Sequence, residues 1–238
     1  MIPLVDAHAH LGTPEELEAR KAAGVVTLMC GTEPESAAKV TQLASAALIP
    51  HCALHPWHAE ECLLADMLEY MDMCPVVGEI GLDSVWTETD MEAQRRVFRA
   101  QLDWAERRRK PVVLHTKGME REIAWTLGRY TVRKLVHWYS CDQYLDEYIA
   151  QDCYFTVGPD CERSEAVRAV IARAPIERLL TETDGMSAVA WALERDVAPG
   201  ELSSVLEGEL REIASIKDLS LEHVRESVWV NFNRFVWG

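Results

Sequence analysis

The sequence predicts an α/β fold: a single (β/α)8 barrel of the TIM type spanning residues 1–238, with two additional C-terminal helices. Three observations carry this. Short runs rich in Val, Ile and Leu alternate with longer stretches of helical period, the pattern of βα units around a parallel sheet. Eight such pairs can be counted, and 238 residues is close to the about 250 of a barrel that folds as one unit. The intervening segments are short, so Gly158-Pro159 and Ala198-Pro199-Gly200 read as loops within one domain, with no linker and no repeat.

The expected strands are Ile2–Asp6, Val25–Cys30, Leu48–Leu54, Val76–Glu79, Val112–His115, Lys134–His137, Tyr154–Val157 and Arg178–Thr181. The clearest helix is Asp90–Arg109. Met91, Gln94, Val97, Phe98, Leu102 and Ala105 recur there at three- and four-residue steps, with Gln94 the only polar member of that face. The two closing helices are expected near Ser203–Ile216 and Leu221–Val236, the second with Leu221, Val224, Val228, Phe232 and Phe235 on one face.

Composition narrows the partners. Twenty-four Lys+Arg against 39 Asp+Glu leave a net charge of −15, which disfavours polyanions unless a local patch or bound metal reverses the field. Seven scattered cysteines, none in a Cys-x-x-Cys pair, suggest neither a disulfide framework nor a cysteine zinc site. A cytoplasmic location is expected, with no leader pattern in residues 1–30 and no membrane-spanning apolar run.

Asp6-Ala7-His8-Ala9-His10 ends the first strand. Because strand side chains alternate, positions 6, 8 and 10 are expected on one face, so two imidazoles share a target. Further candidate ligands end later strands: Glu79, His115 and His137, with Asp184 just after the eighth. In a barrel those ends converge on the face where such folds place their sites. Four imidazoles and two carboxylates exceed what one tetrahedral ion needs, so two divalent ions are expected. Zn²⁺, Mn²⁺ or Fe²⁺ suit these donors better than Ca²⁺, and Mg²⁺ remains open where substrate phosphates complete its shell.

Taken in order, these motifs resemble the TatD-type metal-dependent deoxyribonucleases of the amidohydrolase superfamily. The resemblance rests on Asp-x-His-x-His at 6–10, His55-Pro56, Gly78-Glu79-Ile80-Gly81-Leu82-Asp83, Pro111 through His115-Thr116, His137, Thr181-Glu182-Thr183-Asp184, Asn231 and Phe235. It implies a two-metal hydrolase in which Glu79 bridges the ions, His8, His10 and Asp184 complete one site, and His115 and His137 serve the other. It also implies a substrate-contacting His55. Three positions depart from the family pattern: Lys117 stands where Arg is usual, Trp138-Tyr139-Ser140-Cys141 replaces Cys-Phe-Ser-Gly, and Gly185-Met186 lacks the usual proline. None removes an expected ligand; all bear on the substrate.

The catalytic residues are accordingly Glu79 and Asp184, with Asp184 either shuttling the water proton or serving only as a ligand. Asp6 is expected to orient the histidines. Lys117 would meet a substrate phosphate or simply begin a helix in solvent; Trp138 and Tyr139 would stack a base or roof the pocket. His58 is expected to cap the next helix, His51 and His223 to be structural, and Cys30 to be a small buried thiol. Arg107–Lys110 belongs on the N-terminal side of the barrel, opposite the site. The catalytic rim is expected to be acidic, through Glu33, Glu35, Glu60, Glu61, Asp83, Glu88, Asp90, Glu92, Asp142, Asp160 and Glu162, against Lys117, Arg121 and Arg163. The expected substrate is therefore a small phosphoester or a short single strand, not a long duplex. The same site would serve an amidase, lactonase or deaminase, and a non-catalytic metal-binding scaffold is the third reading.

Overall fold

Eight parallel strands pair in sequence order in the computed structural model, which describes residues 2–238. They are β1 (Val5–His10), β2 (Val26–Gly31), β3 (Leu48–Cys52), β4 (Val76–Asp83), β5 (Val112–Lys117), β6 (Lys134–Val136), β7 (Tyr154–Val157) and β8 (Leu179–Thr181). The ends of the sheet meet. The Thr181 hydroxyl donates to the Val5 carbonyl at 2.6 Å, the Asp184 N–H donates to the His8 carbonyl at 3.0 Å, and Ala9 bridges Asp184. This is the expected barrel, nearly closed.

Only β7 has the expected bounds; the other strands differ by one or more residues at an end, and β1 and β4, both at the site, differ most. β1 begins at Val5, where its pairing with Val26 starts, and runs on through both histidines to His10. β4 continues past Glu79 to Asp83. Each also breaks register at its key residue, between Asp6 and Ala9 in β1 and between Val77 and Ile80 in β4.

Eight helices follow the strands: α1 (Pro14–Ala23), α2 (Pro34–Gln42), α3 (Leu64–Met73), α4 (Met91–Arg108), α5 (Glu120–Leu127), α6 (Leu145–Ala150), α7 (Glu165–Arg173) and α8 (Met186–Leu193). The additional α9 (Leu202–Lys217) and α10 (Leu221–Trp237) lie where expected. Local chemistry sets their ends. The Thr13 hydroxyl accepts the Glu16 N–H at 3.3 Å to start α1, and Gly24, at φ 63°, ends it in a left-handed turn that costs glycine little. Asp90 caps α4 by accepting the Ala93 N–H.

The buried face of α4 holds a second glutamine besides Gln94, and both bind main chain. Gln94 accepts the Asp83 N–H at 2.8 Å and donates to its carbonyl at 3.0 Å. Gln101 does the same for Leu54, at 2.7 and 3.0 Å. Each thus stands in for a missing strand neighbour where β4 ends and β3 gives way to the loop carrying His55.

Lys110 ends the basic run after α4 on the barrel's N-terminal side, as expected, and donates to the carbonyls of Met71, Asp72 and Cys74 at the end of α3. Across α10, Asn231 donates to Ile176 and Leu179 at 2.7 and 2.9 Å, tying the helix to the start of β8. Val224, Val228, Phe232 and Phe235 are buried as expected; Leu221, the first residue of the helix, is exposed. No helix among the described residues is long and apolar enough to cross a membrane.

Candidate metal centre

The strand ends bring four of the expected ligand residues to the Glu79 carboxylate and set Asp184 against two of them. Glu79 Oε2 lies 3.4 Å from His8 Nε2 and 3.5 Å from His10 Nε2. Asp184 Oδ1 lies 3.3 Å from both of those nitrogens. On the other side, Glu79 Oε1 lies 2.8 Å from His115 Nδ1 and 2.7 Å from His137 Nε2. His55 Nε2 approaches the same oxygen at 3.5 Å. The two oxygens of one side chain therefore face two different sets of donors. The first set has the spacing of a coordination shell, since bonds of about 2.0–2.1 Å at tetrahedral angles put ligand atoms about 3.3 Å apart.

Burial makes this arrangement expensive without a cation. His8 and Glu79 are almost wholly buried, yet both nitrogens of His8, Glu79 Oε2 and Asp184 Oδ1 have no hydrogen-bond partner. Each such atom costs about 1–3 kcal/mol. Imidazoles and carboxylates aimed at common points, with their lone pairs otherwise unused, fit a divalent ion. The charges agree. Burial opposes ionisation of Glu79, but His137, His55 and His8 outweigh it and hold its carboxyl well below the usual range. Burial and the charge of His137 oppose protonation of His8, yet Glu79 and Asp184 raise it to about 9. Asp184 is likewise lowered against its burial by His10 and His8.

Comparison with known proteins matches residues 5–236 to the family described as TatD related DNase. The chain belongs to this family. An uncharacterized metal-dependent hydrolase of Methanocaldococcus jannaschii is 28% identical over 67% of this chain and 61% of its own length. The metal-dependent hydrolase YjjV of Escherichia coli is 30% identical over 76% of this chain and 78% of YjjV. The crystal structure of YjjV superposes with a TM-score of 0.84 over 99% of each chain, at 24% identity, and so shares the fold. A 3'-5' ssDNA/RNA exonuclease TatD of Pectobacterium carotovorum is 30% identical over 75% of this chain and 74% of that enzyme. This TatD-family chain is a metal-dependent hydrolase.

Around the TatD cluster, two carboxylates behave differently from the sequence expectation, and a third had none. Asp6 does not orient the histidines. The register break after it separates it from their face, and its oxygens accept from Arg20, the Thr183 N–H at 2.8 Å and the Thr183 hydroxyl at 2.6 Å. It holds instead the segment that carries Asp184. Asp83 is not a rim acid. It is wholly buried; Oδ2 accepts from His115 Nε2 at 2.9 Å and Trp57 Nε1 at 2.7 Å, and Oδ1 from the N–H groups of Val85 and Trp86. Burial opposes its charge, but these donors, His115 foremost, keep its carboxyl low. With Nε2–H given to Asp83, His115 presents Nδ1 to Glu79. Glu182, given no role by the sequence reading, is buried 3.6 Å from His137 Nδ1, and its N–H donates to Glu209 of α9.

Above the cluster opens a cavity of about 720 Å³. His55, Lys117 and Trp138, the residues expected to contact substrate, all line it, and among the described residues Lys117 is the one Lys or Arg in its wall. Lys117 Nζ donates to the Ser140 hydroxyl at 3.0 Å and lies 4.5 Å from the Trp86 ring. Trp138 lies against Gly158, where a Cβ would come within 2.8 Å of the indole, and donates Nε1–H to Asp160 at 2.8 Å. Tyr139 takes no part. It is buried between Tyr148 and Phe155, with its hydroxyl donated to the Gln143 carbonyl. His58 caps no helix; it sits in a single 3-10 turn capped by His55, and lines the cavity. Trp57, Trp86 and Trp191 complete the wall and were missed. Their only signal was a bulky aromatic in a loop or helix following a strand, on the barrel face that holds the site. Of the expected acidic rim, only Asp160 belongs to the cavity wall.

Proposed function

We propose that this TatD-family hydrolase is a two-metal phosphodiesterase for small phosphoesters and short single-stranded ends, with the whole chain acting as one catalytic unit. The observation that carries the reading is the division of Glu79 between two donor sets. His8, His10, Asp184 and Glu79 Oε2 would hold one divalent ion, and His115, His137 and Glu79 Oε1 the other, as Zn²⁺, Mn²⁺ or Mg²⁺. Ions so held would supply Lewis acidity toward a water and a phosphoryl oxygen.

The protein's own groups do the rest. Asp184, with 19% of its side chain exposed against 1% for Glu79, is the carboxylate that can take the water proton and return it to the leaving group. Lys117 meets the phosphate. Trp86, Trp138 and Trp191, arranged edge to face at 6.1 Å, offer flat faces to a base. The cavity volume lies within the range that encloses drug-sized ligands, and a single cation in its wall does not neutralise the phosphates of a duplex. The exonuclease name of the Pectobacterium relative agrees with single strands.

The test reconstitutes the protein with Zn²⁺ or Mn²⁺ and compares kcat/KM for a dinucleotide, a duplex of tens of base pairs, a lactone and an N-acyl amino acid. The dinucleotide should be preferred. A duplex favoured at low salt and lost steeply as salt rises, or faster turnover of the lactone or amide, overturns the assignment.

A further inference from the structure

The thiol of Cys30, at the floor of the metal centre, belongs to no ligand set described so far. Its place follows from strand register. β1 pairs His10 with Cys30, and β2 pairs Cys30 with His51. In a parallel sheet, residues in register share a level and a face. Cys30 therefore stands between two imidazoles on neighbouring strands. Its Sγ lies within 4.8 Å of ligand atoms of His8 and His51, and also within 4.8 Å of ligand atoms of His10 and Glu79.

Burial turns proximity into an argument. Cys30, His8 and His51 are each at most 1% exposed. Neither nitrogen of His51 and neither nitrogen of His8 has a hydrogen-bond partner. A neutral imidazole always carries one donor and one acceptor, and leaving both unused in a dry interior is costly. His51, expected to be structural, is thus buried with neither nitrogen partnered among the described residues.

We propose that Cys30 is a thiolate ligand on the His8 and His10 side of the metal centre, with the His51 imidazole facing it from β3. This rests on the centre holding divalent metal, as proposed above. A thiol that coordinates a divalent ion is deprotonated outright. Sulfur beside imidazole changes which ion wins. Thiolate selects Zn²⁺ and other thiophilic ions, while carboxylate and water suit Mg²⁺ and Mn²⁺. The chain should accordingly prefer Zn²⁺ on this side beyond what His8, His10, Glu79 and Asp184 alone would give.

The test is Co²⁺ titration of the metal-free protein, followed by absorption. Visible d–d bands report filling of the centre; a near-ultraviolet thiolate-to-metal band reports sulfur. Both should appear in the native chain. Cys30→Ser and Cys30→Ala should lose the near-ultraviolet band, keep the visible ones, and bind Zn²⁺ at least about tenfold more weakly. X-ray absorption of the Zn²⁺-loaded native chain needs no variant, and should show sulfur at about 2.3 Å. Visible bands without the near-ultraviolet band, persistence of that band in both variants, or a zinc shell of nitrogen and oxygen alone overturns the Cys30 assignment and leaves the metal reading standing. Absence of any band overturns both.

Discussion

At the N-terminal end of the barrel Lys110 donates to three carbonyls closing α3, and Lys217 does the same for the Ala172 and Ala174 carbonyls where α7 ends. At the opposite end His8, His51, Glu79, His137, Glu182 and Asp184 each keep a buried polar atom without a partner. Both ends are built from loops joining the same strands and helices, so architecture does not explain the contrast. At one end, lysine donors finish helices whose last carbonyls would otherwise be unpaired. At the other, lone pairs are left free and aimed at shared points. One end contributes stability, and the other holds chemistry at the expense of stability.

The contrast breaks first, and most severely, at the carboxylates of the site. Glu79→Gln should lower kcat/KM by more than about 100-fold, since even residues behind metal ligands are worth about 10–100-fold. Metal content should fall at both positions while the fold persists by circular dichroism; equal occupancy in variant and native chains contradicts bridging. Asp83→Asn should cost about 10–100-fold. Asp83 accepts four donors, and an amide offers one oxygen to do the same. Unchanged turnover would show that His115 is oriented by other contacts.

Acidity gives a milder separation. His8 has its pKa raised from 6.5 to about 9, so its protonated form stabilises the metal-free fold. That contribution is fully present below about 6.5 and lost as pH rises through about 9. A cation must displace the same proton. Apparent metal affinity should therefore climb about tenfold per pH unit up to that point for one proton released. Calorimetric titration in buffers of different ionisation enthalpy measures the proton count. A flat affinity over that window would show that metal binding displaces no imidazole proton there, against the raised His8 pKa.

The smallest catalytic effect is expected at the far end. Lys110→Met should lower unfolding free energy by about 1–3 kcal/mol, read by urea denaturation, with turnover per folded molecule unchanged. A turnover loss comparable to that of Asp83→Asn would mean the two ends are mechanically linked.

Most of this contrast was legible in the chain, because strand ends declare themselves by hydrophobic runs that stop at a polar residue. His8, His10, Glu79, His115, His137 and Asp184 were found that way, and all meet. Asp83 was misread because its burial is decided by Trp57 and His115, contributed by other segments. Asp6 was misread because strict alternation was assumed across a register break. The tryptophans come from four separate segments and acquire a common purpose only when the barrel brings those segments together. Cys30 and His51 look like ordinary core residues until register sets them beside His10.

The contact between the His8 carbonyl and the Asp184 N–H also orders events in time. These residues lie 176 positions apart in the chain, and translation proceeds at about 5–20 residues per second. The first two imidazoles thus exist for roughly ten to thirty seconds before the last carboxylate has been made. A growing chain holds only part of the donor set through most of its synthesis. On the proposed ligand set, hydrolytic competence is in this sense a late property of the polypeptide, withheld until the barrel's last strand reaches its first.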